Sequence, residues 1–169
     1  MAVVIEVQPL DDDAFAPFGW LPGSEGDERD ERQELAFAWA DAHLNYISHE
    51  PHEVVRTPEG AVVERLYRHE THTQALMPVD TDAMLVVAPA AVDFTTERDL
   101  RAMRGFLLRP LDVVVLRQGT WHWGPFPLGA GPVRLLNLQG RRYREDNTSV
   151  EPGSTLGVQI VVPMPVEVG

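Results

Sequence analysis

Imidazole and amide side chains stand at two separate places in this 169-residue chain. His72 and Gln74 lie one residue apart, and His122 follows about fifty residues later. An imidazole exchanges protons near neutral pH, and it is also a common ligand of divalent metal ions. These residue types therefore indicate acid–base chemistry or a metal site, provided that the fold brings the two places together.

The context of His122 narrows the kind of fold. Residues 112–122 read as an apolar strand that ends at Arg117, a tight turn at Gly119 and a histidine three residues later. This stretch resembles the second motif of the cupin superfamily, with Arg117 in place of the usual proline. His72 and Gln74 resemble the spacing of the first cupin motif. The resemblance implies a barrel interior in which His72, Gln74 and His122 face one divalent metal ion.

Short apolar runs separated by glycine and proline fill most of the chain, and this pattern favours an all-β fold. Together with the motifs, it predicts a cupin-type double-stranded β-helix, which is a jelly-roll barrel, with one or two short helices. The predicted strands are Ala2–Val7, Leu35–Ala40, Leu44–Ser48, Val62–His69, Gln74–Met77, Met84–Ala88, Gly105–Leu108, Val113–Arg117, Val133–Leu138 and Gly157–Val162.

Two short helices are predicted between these strands. Residues 11–18 carry acids in the first turn, and residues 95–103 begin with Thr-Thr-Glu. Residues 22–34 are almost entirely polar and predict an exposed acidic loop. With this length, the chain is expected to form one cupin-like domain over residues 1–169.

Composition excludes several kinds of chemistry. The chain has no cysteine and no lysine, so thiolate nucleophiles, cysteine-built metal sites and lysine Schiff bases are ruled out. The net charge of −12 argues against binding to nucleic acid. No apolar run is long enough to cross a membrane, and the N-terminus does not look like a signal peptide. A cytoplasmic protein with a small-molecule substrate is expected.

A narrower resemblance covers residues 8–148. Residues 68–78 read Arg-His-x-x-x-Thr-Gln-Ala-x-x-Pro, and a Trp-His pair at residues 121–122 follows. In this order the motifs resemble the ureidoglycolate lyase family. The chain departs from the family pattern at Arg117, where a histidine is usual, and at Trp123, where a second histidine is usual. It also lacks an aspartate after the strand that ends near Leu138.

The resemblance implies an activity and roles for particular residues. The reaction would split ureidoglycolate into glyoxylate and urea, a step of allantoin degradation in purine catabolism, and the enzyme would be a homodimer. His122 would transfer the proton or bind the metal, and His72 would be a second base or ligand. Gln74 would orient the ureido group.

Arginine suits the substrate carboxylate, and Arg68 and Arg117 are the candidates. Side chains alternate along a strand, so only one of Arg68 and His69 can face the pocket. We expect His69 to have a structural role.

Two other readings stay open from sequence alone. One is a diverged cupin enzyme that acts on a related small acid. The other is a cupin that binds or senses a small carboxylate without turning it over. His43, His49 and His52 are expected to be ordinary strand and loop histidines.

Overall fold

The computed structural model describes residues 1–165, and over this range it contains fifteen strands and three short helices. Residues 166–169, the end of the predicted domain, lie outside the described part. The strands are β1 (Ala2–Val4), β2 (Glu6–Gln8), β3 (Gly19–Trp20), β4 (Ala42–His49), β5 (Arg56–Thr57), β6 (Gly60–Val62), β7 (Leu66–Arg68), β8 (Gln74–Pro78), β9 (Ala83–Ala88), β10 (Arg104–Leu108), β11 (Val114–Leu116), β12 (Trp121–Pro127), β13 (Val133–Gly140), β14 (Thr148–Val150) and β15 (Gln159–Val162). The helices are α1 (Asp12–Phe15), α2 (Glu97–Leu100) and α3 (Pro152–Leu156).

The strands form three layers. Sheet I has the order β1-β15-β6-β5, sheet II the order β14-β7-β12-β9-β10-β2, and sheet III the order β3-β11-β8-β13-β4. Most neighbouring strands are antiparallel, and the exceptions are β1 with β15 and β2 with β10. Sheets II and III face each other as the two walls of the barrel, and sheet I covers the outer face of sheet II.

Two apolar cores hold the layers together. Between sheets I and II, the core includes Trp121, Met84 and Ile160. Between sheets II and III, it includes Phe106 and Leu135 and is closed by the aromatic rings that flank α1. All six residues of β9 are buried because this strand is covered on both faces. Burial of apolar area on this scale is the main stabilising contribution to a fold of this size.

The all-β, cupin-type jelly-roll class is confirmed. Several boundaries differ from the prediction. Residues 2–7 and 62–69 are each divided into two strands that join different sheets, because the chain turns from sheet I to sheet II between them. The prediction of a strand at Leu35–Ala40 is wrong. The segment is reduced to a single bridge between Phe37 and His72, which is followed by a turn at residues 38–40.

The two predicted helices exist but are only four residues long. Helix α3 was not predicted. It is a five-residue helix that begins with Pro152 and ends at Leu156, and it is followed by Gly157, whose φ is +67°. Residues 22–34 are mostly exposed and contain one 3-10 turn, Asp30–Arg32. Across residues 1–165, no helix has the length and apolar character needed to cross a membrane.

Candidate active site

The two motif segments are joined by their backbones. The amide N of Gly119 donates to the carbonyl oxygen of His69 at 2.7 Å, and Gln118 Nε2 donates to the Glu70 carbonyl at 3.2 Å. Gly119 has a φ of +80°, a conformation that glycine adopts without strain. The turn before His122 is therefore fixed against the loop that carries His69 and His72.

Two connected spaces lie between sheets II and III at this point. The deep cavity has a volume of about 10 Å³, enough for one water molecule or ion. The outer cavity, of about 350 Å³, can hold a small organic acid. His69, Gln74 and His122 line both spaces, and His72 lines only the deep cavity.

His72 has different surroundings on its two ring nitrogens. Nδ1 lies 3.7 Å from the Asp146 carboxylate, and the Asp41 carboxylate is also close to it across Gly140. Nε2 is buried and has no hydrogen-bond partner among the described residues. A carboxylate behind one nitrogen favours the proton on that nitrogen, so the lone pair stays on Nε2.

His122 is oriented by the backbone. Its Nδ1 lies 3.4 Å from the carbonyl oxygen of Thr120, which can accept the ring proton and leave Nε2 with a lone pair. As alternation along β12 predicts, Trp121 and Trp123 pack in the core on the opposite face. Thr120 is itself held by a 2.7 Å hydrogen bond from its hydroxyl to the Phe18 carbonyl.

His69 lies inside the site, and the expectation of a purely structural role is not supported. Its ring centroid is 4.7 Å from that of His72 and 5.6 Å from that of His122, and its Nδ1 is buried without a partner among the described residues. Arg68 faces the other way, as alternation requires. Its guanidinium stacks 4.4 Å from the Trp121 ring centroid and pairs with Glu70.

Gln74 presents its oxygen to the site because its nitrogen is already bound. Nε2 donates to Asn137 Oδ1 at 2.8 Å and to Gln139 Oε1 at 3.2 Å. Asn137 in turn donates to Asn45 at 2.9 Å, which fixes its own orientation. Gln74 Oε1 is buried without a partner, so it is available as an acceptor or a metal ligand.

The imidazoles of His69, His72 and His122 are neutral at physiological pH. Burial, followed by repulsion from His122 and His72, lowers the pKa of His69 to about 3. Burial lowers the pKa of His122 to about 4, although its bond to the Thr120 carbonyl opposes the shift. Burial also lowers the pKa of His72, against the opposing pull of Asp146 and Asp41. Neutral imidazoles are bases and metal ligands.

A metal ion fits this donor set. His69, His72 and Asp146 carry potential ligand atoms that all lie within 4.8 Å of one another. The carboxylate of Asp146, however, already accepts hydrogen bonds from Thr71 and from the Glu70 amide. It is therefore better placed to orient His72 than to bind an ion.

Three buried atoms around the deep cavity have no protein partner among the described residues: His69 Nδ1, His72 Nε2 and Gln74 Oε1. These nitrogen and oxygen donors suit a first-row divalent ion. Of the predicted ligands, His72 and Gln74 belong to this set. His69 is added to it, and His122 lies beside it.

The predicted carboxylate anchors lie away from the outer cavity. The guanidinium of Arg68 stacks on the Trp121 ring. Arg117 borders the deep cavity, but it is exposed and its Nη1 donates to the Ala16 carbonyl at 3.2 Å. The arginine that lines the outer cavity is Arg65, which is paired with Glu151.

Several residues of the site were not predicted from the sequence. Asn137, Gln139 and Tyr143 come from β13 and the turn after it, and Asp146 from the segment before β14. Polar residues at alternate positions inside the apolar strand Val133–Gly140 were the available signal, because a buried amide in a strand requires partners.

A comparison with protein families identifies the family of the chain. The sequence matches the family described as ureidoglycolate lyase over residues 27–152, about three quarters of the chain. The chain belongs to the ureidoglycolate lyase family. No curated protein matches the sequence significantly.

Two solved structures are similar to the chain at low identity. A dTDP sugar isomerase from Desulfovibrio desulfuricans G20 is 13% identical, with a TM-score of 0.46, and the match covers 78% of this chain and 80% of that one. Lactobacillus farciminis oxalate decarboxylase, in a formate complex, is 14% identical, with a TM-score of 0.42, and the match covers 70% of this chain and 30% of that one. Similarity at this level gives no information about the activity of the chain.

The buried histidines predict a specific acid instability. The unfolded chain binds protons at histidine below about pH 6.5, whereas folded His69 and His122 do so only near pH 3 and 4. In metal-free protein, we expect the free energy of unfolding to fall between pH 6.5 and pH 4, by up to ~1.4 kcal/mol per pH unit for each buried histidine. Urea denaturation at several pH values measures this slope.

The variant His122→Gln should show a shallower slope, and the exposed control His52→Gln should not. Equal slopes in the wild type and in His122→Gln would contradict the burial of a neutral imidazole at residue 122.

Proposed function

We propose that this family member cleaves ureidoglycolate into glyoxylate and urea. The main support for the proposal is that three side chains line the same cavity. They are the neutral imidazoles of His69 and His122 and the oriented amide of Gln74. The substrate has a hydroxyl and a ureido nitrogen on the same carbon. Its cleavage requires a base for the hydroxyl proton and a proton for the departing nitrogen.

His122 is assigned as the base. Its Nδ1 is turned to the Thr120 carbonyl, so Nε2 is free to accept the hydroxyl proton while the carbon–nitrogen bond breaks. A positioned base of this kind contributes about 10²- to 10⁴-fold to the rate. Because the pKa of His122 is near 4, the base is already deprotonated at neutral pH.

Gln74 recognises the ureido group. Its Nε2 is held by Asn137 and Gln139, so Oε1 can accept a hydrogen bond from a ureido N–H. The orientation is set before substrate arrives, which reduces the entropic cost of binding. If Gln74 binds a metal ion, its second lone pair remains available for the same contact.

His69, His72 and Gln74 would hold a divalent ion in the deep cavity. Such an ion would act as a Lewis acid towards the hydroxyl and carboxylate oxygens of the substrate.

Arg65 is assigned as the carboxylate anchor. It lies on the wall of the outer cavity, where Tyr143 and Asn147 also contribute polar groups. The pairing with Glu151 engages Nε and one terminal nitrogen, and the other terminal nitrogen can donate to the substrate. A hydrogen bond from this charged nitrogen to the substrate carboxylate is stronger than a bond between neutral groups.

An apolar wall of the outer cavity favours a second candidate substrate. Ile47, Leu76 and Phe126 belong to this wall, and ureidoglycolate has no apolar group to contact them. A related ureido hydroxy acid with an alkyl group on the reacting carbon would fill this side. The same reaction would then release a 2-oxo acid and urea.

The direct test of the proposed function is to incubate purified protein with ureidoglycolate and to quantify both products. We expect glyoxylate and urea in equal amounts, and we expect His122→Gln to lower kcat by about 10²- to 10⁴-fold with little change in KM. Glutamine can replace the hydrogen bond of the imidazole but cannot transfer its proton. Ammonia in place of urea, or a variant as active as the wild type, would contradict the assignment.

Arg65→Gln should raise KM for ureidoglycolate at least about tenfold, with a smaller effect on kcat. The reason is that the variant weakens binding of the substrate and binding of the transition state equally. Steady-state kinetics measure the two constants. The matched control is Arg117→Gln, which removes a guanidinium bound to the Ala16 carbonyl and should leave KM unchanged. A higher KM in the control alone would assign the anchor to Arg117.

The metal site is tested by elemental analysis of protein purified without chelator. We expect about one equivalent of a divalent transition metal per chain, and we expect the double variant His69→Ala/His72→Ala to lose it. The double variant His43→Ala/His52→Ala, which leaves the deep cavity intact, is the control. Wild-type protein that is active and free of metal would show that the donors around the deep cavity serve substrate or water instead.

A further inference from the structure

We propose that His49, held by Glu53, donates the proton to the departing ureido nitrogen. This inference rests on the function proposed above. It identifies the donor of the second proton, which His69 and His122 do not supply. His69 and His122 are neutral at physiological pH, so neither brings a proton of its own to the substrate.

The surroundings of His49 give it a defined orientation. It is the last residue of β4, where it lies opposite Val133 of β13. Its Nδ1 is 3.2 Å from Glu53 Oε1, and the other oxygen of Glu53 accepts the backbone N–H of Glu50. The ring edge packs on Phe126, with centroids 4.7 Å apart. The imidazole is therefore held on one side by a carboxylate and on its ring edge by an aromatic side chain.

His49 also occupies a defined position between two spaces. It lines the outer cavity together with His122, and it lines an entrance chamber of about 820 Å³ with Glu53 and Arg65. Since Nδ1 is directed to Glu53, Nε2 is the nitrogen that remains for a group bound in the outer cavity. A proton lost from Nε2 can be replaced from the entrance chamber.

The protons and electrons of the step balance. His122 Nε2 takes the hydroxyl proton, and the electrons of that O–H bond form the carbonyl of glyoxylate. The electron pair of the breaking carbon–nitrogen bond moves to the ureido nitrogen, which takes a proton from His49 Nε2. In its charged form, His49 is paired with Glu53 and carries this proton. After product release, His122 loses its proton and His49 regains one, so no oxidant or reductant is required.

Charged and titratable groups surround His49 on several elements. Glu53 lies on the 3-10 turn that follows β4, and His122 lies on β12. Arg65 and Tyr67 approach from β7 and the residue before it, and Glu64 and Glu151 border the entrance chamber. Three of these groups are carboxylates, those of Glu53, Glu64 and Glu151, and one is the guanidinium of Arg65.

The experiment compares three single variants with the wild type. His49→Gln removes the proton donor, Glu53→Gln removes only the group that holds it, and His52→Gln is a control three residues along the chain that lines neither space. Each is assayed for glyoxylate release from ureidoglycolate as a function of pH, with thermal unfolding as a measure of folding.

We expect His49→Gln to lower kcat about 100-fold, to change KM less, and to abolish the fall in kcat at high pH that reports loss of the donated proton. Glu53→Gln should lower kcat by a smaller factor, because it loosens the orientation of the imidazole without removing it. His52→Gln should match the wild type. A merely structural role for His49 would lower kcat without removing the alkaline limb of the profile.

Three results would overturn the inference. If the wild type is active and His49→Gln keeps both its kcat and its alkaline limb, the proton returns from His122 itself. If His52→Gln loses as much activity as His49→Gln, the effect belongs to the segment and not to the imidazole. If the wild type releases no glyoxylate, the proposed function fails, and this inference fails with it.

Discussion

One backbone hydrogen bond, from the Gly119 amide to the His69 carbonyl at 2.7 Å, holds the two halves of the site together. It joins the turn before His122 to the loop before His72, next to the point in sheet II where His122 pairs with Tyr67. Their close packing has an electrostatic consequence. Rings with centroids 4.7 and 5.6 Å apart cannot all be charged in a buried space, so the cluster stays neutral. Neutral lone pairs that point inward are what both a base and a metal site require.

The fold and part of the site could be predicted from the sequence. The all-β class follows from many short apolar runs with breaks between them, and the inward direction of Gln74 and His122 follows from motif spacing. Alternation along a strand correctly required that Arg68 and His69 face opposite ways. It could not say which of the two faces inward. That choice depends on Trp121, whose ring accepts the Arg68 guanidinium on the far side of sheet II.

The remaining parts of the site depend on strand pairing and could not be predicted. Asn137 reaches Gln74 only because β13 lies beside β8, and these residues are 63 positions apart. Asp146 approaches His72 from the segment before β14, after the chain has left the barrel wall. The sequence alone indicates an ordinary strand histidine at His49. Nothing in the local sequence shows that Phe126 and Glu53 contact its ring. Contacts across sheets have no signature in a single sequence.

The proposed base and the proposed metal site both require imidazoles that are buried, close together and uncharged. Long-range proton–nitrogen correlation spectra of the six histidines, recorded on metal-free protein between pH 7.5 and pH 5, observe this state directly. We expect His69 and His122 to keep the nitrogen shifts of neutral rings over the whole range, because burial lowers their pKa values to about 3 and about 4. Protonation of the rings at residues 69 and 122 within this range would contradict the presence of buried, neutral imidazoles in the site.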